Sequence, residues 1–258
     1  MVRVYISNVS NLPDPKENLW IMEGLPEERK NKILRFLRAQ DRRQNLAAGL
    51  LLKNVLEQHE IDISNISYGP HGKPELPDIY FNLSHSHDYV VCAVCDKPVG
   101  CDIEKIGKSR DGVAERFFTK AEWAYLNTFE DEVRLDAFYR IRTMKESYLK
   151  MTGEGLAFGL NRIECRFEKA AASEAKNQDE VRIYRDGEKC HCFIKEYKIS
   201  GYKLSVCAEE EIFASEVEEI SKLWYLYGCY ESCHRCDVTL LYVFYIFCYF
   251  LIRRKVEF

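Results

Sequence analysis

The sequence has no excess of positive charge. Its 258 residues include 37 Lys and Arg against 41 Asp and Glu, which gives a formal net charge of −4. Nucleic-acid-binding proteins normally present a broad basic face to the phosphate backbone. The composition therefore argues against nucleic acid as a partner, and it leaves room only for local basic clusters.

The sequence also lacks the long hydrophobic runs that a secretory signal or a membrane-spanning helix would require. The first seven residues, Met1–Ser7, alternate like a strand and lack the apolar run of about 7–15 residues that a secretory signal needs. The uncharged run Val238–Ile252 is shorter than the roughly 20 residues of a bilayer-spanning helix. We therefore expect a cytoplasmic protein without membrane association. The basic segment Arg253–Lys255 after this run leaves membrane-surface attachment as an alternative.

The distribution of the cysteines also gives no sign of disulfide bonds. Eleven cysteines are present, but most are scattered among apolar, strand-like residues, as are Cys92, Cys95 and Cys101. We expect these to be buried free thiols, because such positions favour a small hydrophobic side chain. A zinc site near the C-terminus is an alternative, although its spacing matches no usual zinc motif. Its candidate ligands are Cys229, Cys233, His234 and Cys236.

Hydrophobic periodicity predicts helices and strands in an order that occurs twice. Apolar spacing indicates helices over residues 31–37, 46–56 and 134–151, the last one ending at Gly153, and Thr119 with Glu122 forms a capping box before a shorter helix. Alternating apolar residues indicate strands. These lie at 79–83, 89–95, 99–104, 163–167, 181–184, 192–197 and 202–208.

This order predicts an α+β protein made of two similar halves in a pseudo-twofold arrangement. We place the first half at residues 1–103 and the second at 104–221. An apolar extension, residues 222–258, follows where the composition changes abruptly. A single chain holding both halves is expected to act as a monomer.

Two acidic clusters carry the chemistry. Asp102 and Glu104 are two residues apart on a predicted strand, so both carboxylates project from one face while Ile103 points into the core. Glu146 and Lys150 share one face of the long helix. Each cluster alone fits a solvated strand face or a structural ion pair. Because the strand before them ends in Asn82–Ser86, with hydroxyls and an imidazole, the combination predicts a phosphate site with a bound metal.

Five segments in this order resemble the 4′-phosphopantetheinyl transferase family, specifically its larger, pseudo-dimeric type that activates peptide and polyketide synthetases. The resemblance covers roughly residues 1–221. It implies transfer of the phosphopantetheine arm of coenzyme A to a serine of an acyl or peptidyl carrier protein. The segments are Gly72–Pro74, Phe81–Ser86, Val99–Glu104, Arg116–Glu122 and Met144–Lys150.

The resemblance also implies roles for individual residues. Mg²⁺ would be held by Asp102, Glu104 and Glu146, with Glu146 as the favoured base for the carrier serine. Lys145 and Lys150 would neutralise phosphate oxygens, so the catalytic group comprises Asp102, Glu146 and Lys150. Binding of the 3′-phosphate side of coenzyme A is implied for Lys73, Ser84 and His85.

Two positions depart from the family pattern. Gln44 stands where the family has an arginine that contacts the 3′-phosphate, and we expect Arg43 or Arg42 to substitute for it. Arg142 stands where the family has a tryptophan, and we expect it to pair with Glu146 or to turn outward. A non-catalytic relative that binds coenzyme A or a carrier protein is therefore the alternative to an enzyme.

Overall fold

The computed structural model describes residues 1–69, 73–108, 111–155, 159–168 and 180–221. The helices are α1 (Glu27–Arg35), α2 (Ala39–Gln58), α3 (Asp111–Phe117), α4 (Lys120–Leu126) and α5 (Asp131–Thr152). The strands in the first part of the chain are β1 (Arg3–Asn8), β2 (Ser67–Tyr68), β3 (Pro74–Glu75), β4 (Tyr80–Ser86), β5 (Tyr89–Cys95) and β6 (Val99–Lys105). The later strands are β7 (Ile163–Glu168), β8 (Glu180–Arg185), β9 (Glu188–Lys189), β10 (Phe193–Ile199), β11 (Tyr202–Ala208) and β12 (Glu218–Glu219).

A four-stranded sheet, ordered β12-β1-β5-β4, carries helix α2 on one face. The helical spacing of Leu46, Leu50, Leu51 and Val55 predicts this packing, and all four side chains are buried in the core between α2 and the sheet. The helix begins at Ala39, earlier than the apolar pattern indicates, because polar residues of its first turns also have buried partners. This helix and sheet hold Gln44, Ser84 and His85.

A second sheet, ordered β10-β11-β6, carries helix α5 on one face. The helix spans the predicted residues and ends as expected, since Gly153 adopts a left-handed conformation with φ of 76° at the C-cap. The register of β11 with β6 places Asp102 opposite Ser205 and Glu104 opposite Lys203. Lys150 of α5 pairs with Asp102 and Arg142 pairs with Glu104, so this side of the helix lies above the two acids of β6.

Helix α4 and a three-stranded sheet, β7-β8-β9, complete the second core. The capping box predicted at Thr119 is confirmed, because its side chain accepts from the Glu122 amide and the Glu122 side chain accepts from the Thr119 amide. All the strands predicted after α5 are present, with ends that differ by at most two residues.

The elements confirm an α+β fold, but the expected boundary between residues 103 and 104 falls inside a strand. All of β6 pairs with β11, in the same sheet as β10, whereas β5 pairs with β1 and β4. The turn between β5 and β6 thus separates the two sheets, and the expected boundary divides β6.

The cysteines of the described residues are free, and all but the half-buried Cys190 are buried. Within the same residues, no helix is both long and apolar enough to cross a membrane. Gly72 and the segment after Ser221, with its candidate zinc ligands and its apolar run, lie outside the described residues.

Candidate functional site

Helix α5 crosses strand β6 at Gly100, and this contact sets the geometry of the site. A Cβ atom at Gly100 would lie 2.1 Å from the Ser147 carbonyl oxygen and 2.3 Å from the Met151 amide nitrogen. Only a residue without a side chain allows the two backbones to approach this closely. The approach brings Glu146 and Lys150 of the helix next to Asp102 of the strand.

Lys150 connects the helix to the strand acids. Its Nζ lies 2.7 Å from Asp102 Oδ1 and 3.0 Å from Ser84 Oγ. Burial alone would lower the pKa of Lys150, but the adjacent Asp102 carboxylate and Cys101 raise it. The ammonium therefore stays charged and presents a fixed positive charge beside the acids.

Arg142, which stands where the family has a tryptophan, joins Glu104 and Glu146. Its guanidinium Nη2 lies 3.0 Å from Glu104 Oε1 and 3.6 Å from Glu146 Oε1. The expected contact with Glu146 is confirmed, and the alternative that Arg142 turns outward is wrong. Desolvation and the Asp102 carboxylate raise the pKa of Glu146, and Lys150 and Arg142 act against that shift. A raised pKa suits a carboxylate that accepts a proton.

The chemistry of the acids fits a hard cation, and so does a buried carboxylate oxygen of Asp102. Asp102 is buried, and its Oδ2 has no hydrogen-bond partner among the described residues. Carboxylate oxygens are the ligands that Mg²⁺ prefers. No three His, Cys, Asp or Glu side chains in the described residues converge closely enough to hold an ion as they stand. Arg142 and Lys150 instead pair with oxygens of these three acids.

The polar side chains of β4 connect the two sheets, a role that the sequence interpretation missed. Asn82 Oδ1 accepts from the Cys101 amide at 3.0 Å, Ser84 Oγ from the Ile103 amide at 3.2 Å, and Ser86 Oγ from the Lys105 amide at 3.0 Å. These side chains satisfy the free edge of β6. The sequence signal for this role is a polar residue at every second position of β4.

The structure places Ser84 and His85, which the resemblance assigns to the 3′-phosphate side of coenzyme A, on opposite faces of β4. Successive strand residues point to opposite faces, so buried Ser84 faces Asp102 while exposed His85 faces the α2 side. Desolvation and the positive charge of Lys150 lower the pKa of His85, with Asp41 and Asp102 opposing them. His85 thus remains available to a ligand, whereas the Ser84 hydroxyl is already bonded to its neighbours.

Of the two arginines expected to replace the one missing at Gln44, Arg42 is held in a buried ion pair. Arg42 is buried and pairs with Asp14, and it also donates to the Phe36 and Leu37 carbonyls. The Gln44 amide donates to the His87 carbonyl at 2.9 Å. Arg43 is half-buried and points about 100° away from Gln44 around the helix, and its Nε has no hydrogen-bond partner among the described residues. The substitution by Arg42 is therefore excluded, and the one by Arg43 stays a prediction.

The two remaining lysines lie apart from the acids. Lys73 Nζ donates to the Lys150 carbonyl at 2.7 Å and the Met151 carbonyl at 3.1 Å, so it caps the C-terminal end of α5. It lines a cavity of about 480 Å³ with Tyr80 and Gly153. The structure does not join it to Ser84 and His85 as predicted.

Lys145, which the resemblance assigns to phosphate oxygens, is fully buried in the second core. Its Nζ lies 2.5 Å from Glu122 Oε2 and 3.2 Å from the Phe117 carbonyl oxygen. The other Glu122 oxygen accepts from the Cys165 amide at 2.8 Å. Lys145 precedes Glu146 by one residue, so the helix turns it about 100° away from the acids.

Two family models match consecutive parts of the chain. Residues 12–97 match the family model described as 4′-phosphopantetheinyl transferase, N-terminal, and residues 98–207 match the model of the 4′-phosphopantetheinyl transferase superfamily. The two matches meet at the turn between β5 and β6.

Similar proteins come from bacteria and mammals. The 4′-phosphopantetheinyl transferase Sfp of Bacillus subtilis is 33% identical over 214 residues, which cover 80% of this chain and 92% of that protein. The L-aminoadipate-semialdehyde dehydrogenase-phosphopantetheinyl transferase of Rattus norvegicus is 33% identical over 197 residues, 69% of this chain and 64% of that protein. The chain therefore belongs to the 4′-phosphopantetheinyl transferase family.

Proposed function

We propose that this chain transfers the 4′-phosphopantetheine group of coenzyme A to a serine of an acyl or peptidyl carrier protein, which yields the holo-carrier protein and adenosine 3′,5′-bisphosphate. One observation carries the proposal: Asp102, Glu104, Glu146 and Lys150 are gathered where α5 crosses β6. A module that only binds a ligand has little use for three carboxylates and a lysine at one point. The names of the relatives support the same reaction.

In this reaction the carrier serine oxygen bonds to the phosphorus that bears the pantetheine arm, and the bond from that phosphorus to the bridging oxygen breaks. Charge neutralisation and positioning dominate such transfers. Glu146, whose pKa is raised, accepts the serine proton directly or through a water molecule. Lys150 Nζ, held by Asp102 and Ser84, neutralises a pyrophosphate oxygen.

Magnesium is the proposed cofactor, held by Asp102, Glu104 and Glu146. A bound Mg²⁺ would supply charge neutralisation for the pyrophosphate oxygens. The orphaned Oδ2 of Asp102 supports this assignment, because a buried carboxylate oxygen without a partner costs free energy unless a cation or donor meets it.

Coenzyme A is the proposed co-substrate, and the surroundings of the acids offer it two contacts. The cavity of about 480 Å³ lined by Lys73 and Tyr80 adjoins Lys150 at the end of α5, and its size falls in the range of ligand pockets. His85 is exposed on the α2 side of β4 and is proposed to contact the 3′-phosphate side. Arg43 remains the proposed substitute for the arginine that Gln44 replaces.

Two features of the whole molecule belong to the same proposal. The halves are proposed to be pseudo-twofold repeats, because each packs one long helix on an antiparallel sheet, α2 on β1-β5-β4 and α5 on β10-β11-β6. A cytoplasmic monomer is proposed, since one chain supplies every residue of the acidic site.

The test is incubation of the purified chain with an apo-carrier protein, coenzyme A and MgCl₂, with the carrier mass as the readout. We expect the carrier to gain the mass of phosphopantetheine, and no gain in excess chelator. Asp102→Asn is expected to abolish transfer, and Arg140→Gln, which changes a half-buried ion pair on the same helix, is expected to retain it. Full transfer by Asp102→Asn would reject the proposed site, and no transfer by the unmodified chain to peptidyl and acyl carriers would reject the function.

A further inference from the structure

Arg142 lies one helical turn before Glu146 on α5. Unlike an ordinary surface arginine, it contacts acids of two different elements. Its Nη2 lies 3.0 Å from Glu104 Oε1 on β6 and 3.6 Å from Glu146 Oε1 on its own helix. One amino group thus joins two carboxylates from different elements. These are two of the three acids assigned above to the metal.

The contacts are partly shielded from water. The side chain of Arg142 is 22% exposed, that of Glu104 27% and that of Glu146 13%. Ion pairs in such surroundings are screened less than fully exposed ones. The hydrogen bonding of the guanidinium is nevertheless incomplete, because its Nε is buried without a partner among the described residues. The guanidinium is therefore held mainly through one amino group, and another cation can displace it.

The charges of the cluster show what this arrangement does. With Lys150 and Arg142 in place, the three acids retain one formal negative charge in excess, and without Arg142 they would retain two. We infer that Arg142 is an internal counter-cation that holds Glu104 and Glu146 together in the metal-free chain and competes with a divalent cation for them. This inference rests on the metal site of the proposed function.

Two measurable consequences follow for the chain without coenzyme A or carrier protein. Replacing Arg142 by a neutral residue strengthens divalent cation binding, roughly three- to tenfold in Kd, because partly exposed ion pairs of this kind are modest in strength. The same change lowers the melting temperature of the metal-free chain, because the acids then repel one another. Added Mg²⁺ restores more of the melting temperature in the variant than in the unmodified chain.

The experiment is calorimetric titration of the purified chain with MgCl₂ alone, together with thermal unfolding in chelator and in MgCl₂. The variants are Arg142→Gln and Arg142→Trp, which remove the charge with different side-chain volumes. The matched control is Arg140→Gln, which removes the same charge from the same helix at a comparably half-buried pair with Glu196, on the side of β10. Circular dichroism checks that each variant is folded.

We expect both Arg142 variants, and not the Arg140 variant, to bind Mg²⁺ more tightly. Unchanged Kd in both Arg142 variants, no Mg²⁺ binding in either of them, or equal tightening in the Arg140 control would overturn the inference. A gain in thermal stability confined to Arg142→Trp, with unchanged Kd, would assign Arg142 a packing role instead. Transfer activity is not part of this readout, so a chain that transfers nothing and yet shows the Kd shift would reject the proposed function and keep the inference.

Discussion

At the scale of single residues, the described charged side chains that the fold buries most deeply form pairs. Lys145 and Glu122 are the clearest example, because neither has more than 1% of its side chain exposed. Glu122 accepts hydrogen bonds from Lys145, from the Thr119 amide and from the Cys165 amide. A buried ion that loses its partner retains its full desolvation cost, so such a pair is sensitive to single changes.

We expect Lys145→Met to destabilise the chain by about 3–5 kcal/mol, since it leaves the Glu122 carboxylate buried without a cation. Urea unfolding followed by fluorescence measures the change. The double variant Lys145→Met/Glu122→Gln should lose less than the sum of the two single changes, by about 0.5–3 kcal/mol. If Lys145 instead contacts phosphate, Lys145→Met keeps its stability and only the KM for coenzyme A rises.

The Asp14–Arg42 pair predicts a pH dependence of stability. The Arg42 guanidinium, 2.8 Å from Asp14 through its Nε, lowers the pKa of Asp14 from 3.8 to about 2. Because the folded-state pKa lies below the unfolded one, the pair stabilises the fold fully above about pH 4 and loses its effect as the pH falls towards 2.

We therefore expect Asp14→Asn to be less stable than the unmodified chain at pH 6, with the gap narrowing between about pH 4 and pH 2. Denaturant unfolding at a series of pH values measures the gap. A constant gap over this range would show that Asp14 stabilises the fold by a route other than its charge.

At the scale of elements, the crossing of α5 over β6 determines the site. The helix backbone lies directly on Gly100, and β4 bonds to the edge of β6 through Asn82, Ser84 and Ser86. The strand with the acids is thus held between a helix and a second sheet. A small displacement of α5 would separate Glu146 and Lys150 from Asp102.

Gly100→Ala is expected to destabilise the chain by about 1–3 kcal/mol or more, and to reduce transfer more than stability alone explains. The added Cβ would overlap the Ser147 and Met151 backbone, which cannot rotate away as a side chain can. Thermal unfolding and the carrier mass assay measure the two effects.

The matched control is Gly112→Ala, a helical glycine whose added Cβ would meet no atom of the described residues within 4 Å. It should be neutral or slightly stabilising, since alanine favours a helix. If Gly100→Ala behaves like this control, the close approach of α5 to β6 is incorrect.

At the scale of the whole molecule, the chain returns to its first sheet near the end of the described residues. Strand β12 pairs in parallel with β1, Ser7 Oγ donates to the Ile220 carbonyl at 2.7 Å, and Val2 forms a bridge with Phe213. Residues 212–220 therefore cover the edge of β1, and they belong to the fold even though the family models end at residue 207.

We expect a chain ending at residue 221 to remain folded and to transfer phosphopantetheine, because every residue assigned to the site and every contact above lies before that point. A chain ending at residue 211 should melt at a lower temperature, since it leaves one edge of β1 unpaired. Calorimetry and the mass assay compare both with the full chain. Equal melting of the two truncated chains would show that β12 is dispensable, and unfolding of the longer one would show that the later residues are part of the core.

The sequence by itself determined the two long helices, the main strands and the family. Hydrophobic spacing identified α2 and α5, alternation identified β4, β5, β6 and β11, and the five ordered motifs identified the family. These signals are local, because helix and strand periodicity, caps and short motifs are written in neighbouring residues.

Only the tertiary structure decided which polar residues face the site. Ser84 and Lys145 both lie within the motifs, next to residues of the site. The Ser84 hydroxyl, however, bonds to β6 and to Lys150, and the Lys145 ammonium is buried against Glu122. The sequence also did not show which sheet β6 joins, or that Arg142 contacts Glu104. Each depends on contacts between residues far apart in the chain, and adjacent positions on a helix or strand point in different directions, so sequence proximity does not determine contact.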